Sequence, residues 1–286
     1  MKILVTGSDG FIGQHYCNYA EKDSTVAKAD KSSGVDISKN RTVFDQFGNC
    51  DAVLHLAATN STKLFYEQPT AITVNDTLAT INLVEYYRNT NTKIVFSSSC
   101  EIISGAIDSG IAPVPTDESA PIMFTDIKNP RWSYSLPKAL GENLIVNSGA
   151  PWLIIRYFNI YGPGQRAHFL DEFITRVLAG EYYIKGNDYR SFCYVDDAVI
   201  MTHSLIKQHS NQIVHVGKSD MLLVSEVAKT VMDLMGVDPT KLKILPGQPG
   251  SVVKRCPDTT LVKKLTGFTQ YTSLHDGLRK TIESLI

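Results

Sequence analysis

Lys2-Ile-Leu-Val-Thr6 runs without a break into Gly7-Ser-Asp-Gly10-Phe-Ile-Gly13 and on through His15, Tyr16 and Tyr19. The near-continuous apolar run reads as a strand buried on both faces, as parallel sheets require. Past the glycines the apolar spacing becomes that of an amphipathic helix, so the stretch is a strand, a glycine turn and a helix. In such a turn one glycine makes the bend, one lets the backbone approach a pyrophosphate, and one lets the helix pack closely on the strand. Free N–H groups at the helix start, backed by the helix dipole, suit a dinucleotide's phosphates.

Working outward, Thr25-Val-Ala-Lys-Ala29 reads as a second strand closed by Asp30. An acid about 20 residues past the glycine turn accepts hydrogen bonds from the adenosine ribose and repels the 2′-phosphate of NADP, which favours NAD. Gly34-Val-Asp36-Ile37 follows too soon for a full crossover helix, so this half is compact. Asp51-Ala-Val-Leu-His-Leu-Ala-Ala58 is a strand beside the first, ending in small residues that let a backbone approach a ligand. A helix from about Thr70 to Arg88 carries Ile72, Leu78, Ile81, Val84 and Tyr87. Thr92-Lys-Ile-Val-Phe96 then delivers Ser97, Ser98, Ser99, Cys100 and Glu101 to the edge of the sheet where ligands bind in open α/β folds.

A polar, Pro-rich crossing (112–121) leads to Asn129-Pro-Arg-Trp-Ser-Tyr134-Ser-Leu-Pro-Lys138. Tyr134 and Lys138 share one helix face, where an ammonium lowers the pKa of a phenol and prepares it to move protons. Pro137 belongs in a first helical turn, so this helix should begin only a few residues before it. Farther on, Phe169 to Ala179, Ser225 to Met235 and Ser273 to Leu285 read as amphipathic helices, and Ile213-Val-His-Val216 as a strand returning to the main sheet. His168, His203, His209, His215 and His275 lack metal-ligand spacing, so they read as surface or packing residues and no metal is expected.

The chain has 286 residues, long enough for a large core, and a net charge of −1, which argues against nucleic acid or an anionic membrane as partner. It has no apolar run of transmembrane length, and Met1 opens directly on the first strand, read as the lack of a signal peptide. Its 5 cysteines are scattered, so a reduced, cytoplasmic protein is expected.

These motifs fall in the order found in the extended short-chain dehydrogenase/reductases, and the chain resembles their NAD-dependent nucleotide-sugar epimerases and dehydratases. The resemblance is carried by Gly7, Gly10 and Gly13, Asp30, His55-Leu-Ala-Ala58, Ser97-Ser-Ser99, Tyr134-x-x-x-Lys138 and Arg156-Tyr-Phe-Asn159-Ile-Tyr-Gly-Pro163. Arg190-Ser-Phe-Cys-Tyr-Val-Asp-Asp197, Lys254-Arg-Cys-Pro-Asp258 and Leu274-His-Asp-Gly-Leu278 extend it nearly to the end. It implies an α/β fold: a Rossmann-type, doubly wound parallel sheet (1–160, with a return around 190–216) and a smaller C-terminal α/β substrate-binding portion (161–286). It implies NAD contacts from Gly7, Gly10, Phe11, Ile12, Gly13, Asp30, Asp36, Ile37, Leu56, Ala57, Ala58, Tyr134 and Lys138. Ser99 and Tyr134 would meet the reacting sugar hydroxyl, Lys138 would bind the nicotinamide ribose, and Asn159, Arg190 and Arg255 would hold a nucleotide-sugar substrate.

The implied chemistry is transient oxidation, most simply at sugar C4, with Tyr134 moving the proton. Epimerisation is slightly favoured as the commoner reaction. Glu101 pulls toward a 4,6-dehydratase or a uronate decarboxylase, which carry a glutamate at that place, although Cys100 stands where dehydratases often add an acid. A non-catalytic, NAD-binding regulatory protein is the remaining alternative. Departures from the pattern are Ile103-Ser104 for Tyr-Gly, Asp76 for an Asn, and a short loop between Gly186 and Arg190. The resemblance also implies a homodimer through the helices near Thr70 to Arg88 and Tyr134 to Asn147, where Leu83, Tyr86, Tyr87, Leu140, Leu144 and Ile145 would supply apolar surface.

Overall fold

In the computed structural model, which describes residues 1–247 and 253–286, the first half of the chain alternates strands and helices. In order these are β1 (Lys2–Thr6), α1 (Phe11–Ala20), β2 (Thr25–Ala29), β3 (Ala52–His55), α2 (Thr62–Glu67), α3 (Pro69–Tyr87), β4 (Lys93–Ser99), α4 (Ser104–Asp108), α5 (Trp132–Val146) and β5 (Trp152–Tyr157). A 3-10 helix, Arg41–Phe47, links β2 to β3 in place of a crossover α-helix. The second half contains β6 (Ile160–Tyr161), α6 (Phe169–Leu178), β7 (Tyr183–Lys185), β8 (Tyr189–Ser191), β9 (Cys193–Tyr194), α7 (Val195–Gln208), β10 (Gln212–Val216) and β11 (Met221–Leu223). It ends with α8 (Val224–Leu234), β12 (Lys243–Leu245), β13 (Lys254–Arg255), α9 (Thr260–Thr266) and α10 (Leu274–Glu283).

Six strands form one parallel sheet in the order β2-β1-β3-β4-β5-β10. The order reverses at β1, so the ends of β1 and β3 frame the crevice where open α/β sheets bind ligands. Alternation along each strand splits the core. Ile3, Val5, Leu54 and Val95 pack on one side with Tyr16 and Cys17 of α1, while Leu4, Val53, Ile94 and Phe96 pack on the other with Leu83 of α3 and Ile145 of α5. Each such fully buried aliphatic side chain contributes roughly 1.5–3 kcal/mol, which is why both faces need helices. The short strands β11-β8-β13 and the pairs β12-β7 and β6-β9 build the smaller portion, and β10 carries the chain back beside β5.

Two expectations need correction. Pro137 sits one turn farther into α5 than a first-turn proline, because the helix starts at Trp132. The Ser133 carbonyl, which a residue with an N–H at 137 would satisfy, instead accepts the Thr73 hydroxyl of α3 at 3.2 Å, which offsets part of the helix penalty. Leu83, Tyr87 and Ile145 are core residues at 0, 3 and 0 % exposure, and Tyr86 and Leu144 are partly buried against the same cluster. Of the six residues expected on a dimer face only Leu140 is exposed; Val74 and Leu78 of α3 and Val146 of α5 are exposed beside it in sequence or along the same helices.

Among the described residues no helix is long and apolar enough to cross a membrane, and no group of three or more His, Cys, Asp or Glu is placed to hold a metal ion.

Candidate active site

A cavity of about 1180 Å³ opens over the carboxyl ends of β1, β3 and β4 and continues between the sheet and the smaller portion. A single small-molecule site takes ~300–1,000 Å³, and this one is somewhat larger.

At one end the glycine turn fits a pyrophosphate. Gly7 has φ +72°, and a Cβ there would lie 2.7 Å from the Ala57 amide nitrogen; at Gly13 it would meet the Gly7 carbonyl oxygen at 2.1 Å. Only glycine permits this closeness of turn, helix and β3. Gly7, Gly10, Phe11, Ile12 and Gly13 line the cavity with Leu56 and Ala58, and the first amides of α1 have no acceptor within the helix, leaving them for an anion. Asp30, Asp36, Ile37 and Ala57 lie outside the lining. Ile37 is 5 % exposed and belongs to the core, Asp36 binds Ser38 and pairs with Lys31 and Lys39, and Ala57 backs Gly7 from behind. Asp30 accepts the amides of Asp9 and Ser32.

In the middle of the cavity stand Ser99, Tyr134 and Lys138, brought together by β4 and α5. Lys138 is 4 % exposed; its Nζ donates to the Ser97 carbonyl at 2.6 Å and lies 5.7 Å from the centre of the Tyr134 ring. Burial pulls its pKa down to about 8, with the buried Asp76 carboxylate opposing. Asp76 itself is fixed by the Thr59 amide, 3.1 Å from each oxygen. The tyrosine departs from expectation: burial lifts its phenol above the ordinary range, the hydrogen bond with Ser99 only partly opposing. Tyr134 rests as a neutral phenol, stacked on Phe65 at 5.1 Å, because desolvation, joined by the charges of Glu101 and Asp76, outweighs the Ser99 hydrogen bond.

Toward the smaller portion the cavity becomes cationic. Glu101 Oε1 is shared by Arg131 Nη2 at 3.0 Å and Arg255 Nη1 at 2.6 Å, with all three side chains at 14 % exposure or less. Burial raises the Glu101 carboxyl, but Arg255, Arg131 and Arg190 outweigh it and hold the group below the usual range, so it is a weak base. Arg190 pairs with Asp188 at 3.0 Å, and its pKa falls to about 10 through burial. Among the described residues Glu101 Oε2, Asn159 Nδ2, and Nε and Nη2 of Arg255 are buried without hydrogen-bond partners. Such groups are costly unless a ligand completes them. Asn159 also holds a left-handed φ of +42°, a strain found at functional turns.

The structure thus brings Ser99, Glu101, Tyr134, Lys138, Asn159, Arg190 and Arg255 to one cavity. Sequence reading missed Arg131, Phe65 and His168, which also line it; His168, taken for a surface or packing residue, is kept neutral by burial. Arg131 lies three positions before Tyr134 at the same helix start, which was the available signal. Nothing local marks Phe65 or His168.

Residues 3–217 match the model of the NAD dependent epimerase/dehydratase family. The UDP-N-acetyl-alpha-D-glucosaminuronate decarboxylase of Bacillus cytotoxicus is 27 % identical over 99 % of this chain and 97 % of its own. The UDP-glucose 4-epimerase of Thermotoga maritima, solved with UDP-glucose, superposes with a TM-score of 0.85 at 26 % identity, covering 100 % of this chain and 98 % of that one. The UDP-glucose 4-epimerase of Thermus thermophilus, solved with NAD, gives 0.84 at 25 %, covering 99 % and 98 %.

Proposed function

The chain belongs to the NAD dependent epimerase/dehydratase family, and from that premise we propose that it decarboxylates a nucleotide-linked uronic acid, UDP-linked in the simplest case, after oxidising its C4. The observation that carries this branch is the buried cluster in which two arginines share one oxygen of an ionised Glu101.

NAD, which the glycine turn would hold, would supply the hydride acceptor and later donor and a positive charge that favours ionisation of the phenol. Tyr134, a neutral phenol without cofactor, would first release its own proton to solvent under the positive charges of bound NAD and Lys138; as phenolate it takes the C4 hydroxyl proton, with Ser99 orienting that hydroxyl. The resulting C4 ketone makes the uronate a β-keto acid. Its carboxylate leaves as carbon dioxide, the bonding pair moves toward the C4 oxygen, and Tyr134 and Ser99 donate to that oxygen. No base for the C5 proton is needed; C5 instead takes up a proton from solvent, and the C4 carbonyl regains its hydride while Tyr134 returns the proton to its oxygen. Arg131 orients the departing carboxylate, Glu101 fixes Arg131, and Asn159, Arg190 and Arg255 hold the nucleotide diphosphate.

Dehydration is disfavoured by the same cluster. It would need Glu101 to act as base against three cations, and the place where dehydratases often add an acid holds Cys100, a buried thiol pushed up to about 11 by burial. Epimerisation is the second reading, favoured by the fact that Ser99, Tyr134 and Lys138 form a complete oxidation set without Glu101. Incubating the protein with a UDP-uronate and with the matching neutral UDP-hexose separates the two. Carbon dioxide from the uronate supports decarboxylation; interconversion of the hexose with no action on the uronate supports epimerisation.

The proposal includes cytoplasmic location, supported by five free, buried cysteines, and the substrate role of the portion beyond residue 160. It also includes a homodimer through α3 and α5, which pack side by side and expose Val74, Leu78 and Leu140 at 48, 42 and 43 %.

A further inference from the structure

Asp30 is not alone at the adenosine end of the cofactor site. Asp9, between the first two glycines of the turn, lines the cavity, whereas Asp30 already holds backbone amides on both oxygens, Asp9 N on Oδ2 at 3.1 Å and Ser32 N on Oδ1 at 2.9 Å. The Asp9 side chain reaches across to the loop after β2. Its Oδ2 accepts the Ser32 hydroxyl and its Oδ1 accepts the Ser8 hydroxyl at 3.1 Å.

That loop is where a 2′-phosphate would have to find donors, because the acid ending the second strand occupies the ribose hydroxyls. Here the donors are turned to other acceptors. Lys31 Nζ lies 3.2 Å from Asp36 Oδ2, Ser32 Oγ goes to Asp9, and Ser33 Oγ donates to the Asp30 carbonyl at 2.9 Å. The Lys31 pair is exposed and weak, so Lys31 could swing to a phosphate at little cost. Ser32, also exposed, is held at two points, its amide on Asp30 and its hydroxyl on Asp9.

We infer that Asp9 is a cofactor-specificity residue: it withholds Ser32 from a 2′-phosphate and sets a second negative charge, beside Asp30, against that group. The inference rests on NAD as cofactor and is independent of which reaction follows oxidation. In water-like surroundings one carboxylate ~7 Å from a dianionic phosphate weakens its binding by roughly tenfold.

Calorimetric titration of NAD and NADP into the full chain and into Asp9→Asn and Asp9→Ser tests it, with Asp30→Asn as reference. The ratio of the NADP to the NAD dissociation constant should fall roughly tenfold in each Asp9 variant, less at high salt, and further when combined with Asp30→Asn. Asp9→Ser keeps a hydroxyl between Ser8 and Ser32, so it decides the matter if Asp9→Asn does not fold. A ratio that stays within about twofold of the parent, or Asp9 variants that lose NAD and NADP in equal proportion, overturns the inference. So does a parent protein that binds both cofactors equally.

Discussion

Replacing Glu101 by Gln keeps the side chain's shape and one carbonyl oxygen but removes the charge that Arg131 and Arg255 share at 3.0 and 2.6 Å. Hydrogen bonds to a charged group contribute ~1.5–3 kcal/mol and neutral ones ~0.5–1.5, so weakening two of them costs about 2–3 kcal/mol. Breaking a buried ion pair outright costs ~3–5 kcal/mol, an upper bound here because glutamine still accepts a bond. At ~2–4 °C per kcal/mol for a chain approaching this size, the melting temperature at neutral pH should fall by about 4–12 °C. The sign of the pH effect follows from the Glu101 carboxyl being held below its ordinary value in the folded protein. Its contribution is present above the ordinary glutamate range and is lost as pH falls through the lower, folded value. The gap between parent and variant should therefore be widest at neutral pH and close in acid. In turnover the variant keeps Ser99, Tyr134 and Lys138, so reduced cofactor should still appear on mixing with a UDP-uronate. Carbon dioxide release should slow by ~10²-fold, because Arg131 is no longer fixed. Melting curves that coincide at neutral pH, or carbon dioxide released at the parent rate, would refute the reasoning.

Tyr134→Phe keeps the stacking on Phe65 and loses the proton, so turnover should drop by ~10²- to 10⁴-fold while calorimetry still shows NAD binding; parent-like turnover would remove Tyr134 from the mechanism. The rate of cofactor reduction should decline as pH rises through about 8, where the Lys138 ammonium deprotonates; a rate unchanged well above that value would contradict its role. Leu140→Asp should convert a dimer into a monomer by light scattering, and a parent protein that is already monomeric at micromolar concentration would end the dimer proposal.

The opening of the chain was legible because its signals are local. The bounds of β1, α1 and β2 follow from apolar runs and a glycine turn that need no distant partner. Pro137 was misplaced because its compensation, the Thr73 hydroxyl, comes from another helix. Leu83, Tyr87 and Ile145 were assigned to a surface because periodicity marks a stripe without saying how thick the layer beneath it is. Ile37 and Asp36 follow Asp30 closely in sequence, yet one turns into the core and the other to lysines. Arg131 meets Glu101 from 30 positions away, and Arg255 meets it from β13, a two-residue strand with no periodicity to read. Convergence of that kind is set by packing of the smaller portion against the sheet. The tyrosine's pKa reversed for the same reason: the sequence shows the lysine four residues on, but not the depth at which both are buried.

Tyr134 and Ser99, in the proposed mechanism, serve an oxidation at C4 that ends in loss of the sugar's carboxylate. A UDP-uronate deuterated at C4, followed by mass spectrometry and NMR of the product, tests that claim most directly. The expected product is a pentose lighter by carbon dioxide, with the deuterium retained at C4 because the hydride leaves and returns there. A product of unchanged mass with C4 inverted, or deuterium washed out into water, would contradict it.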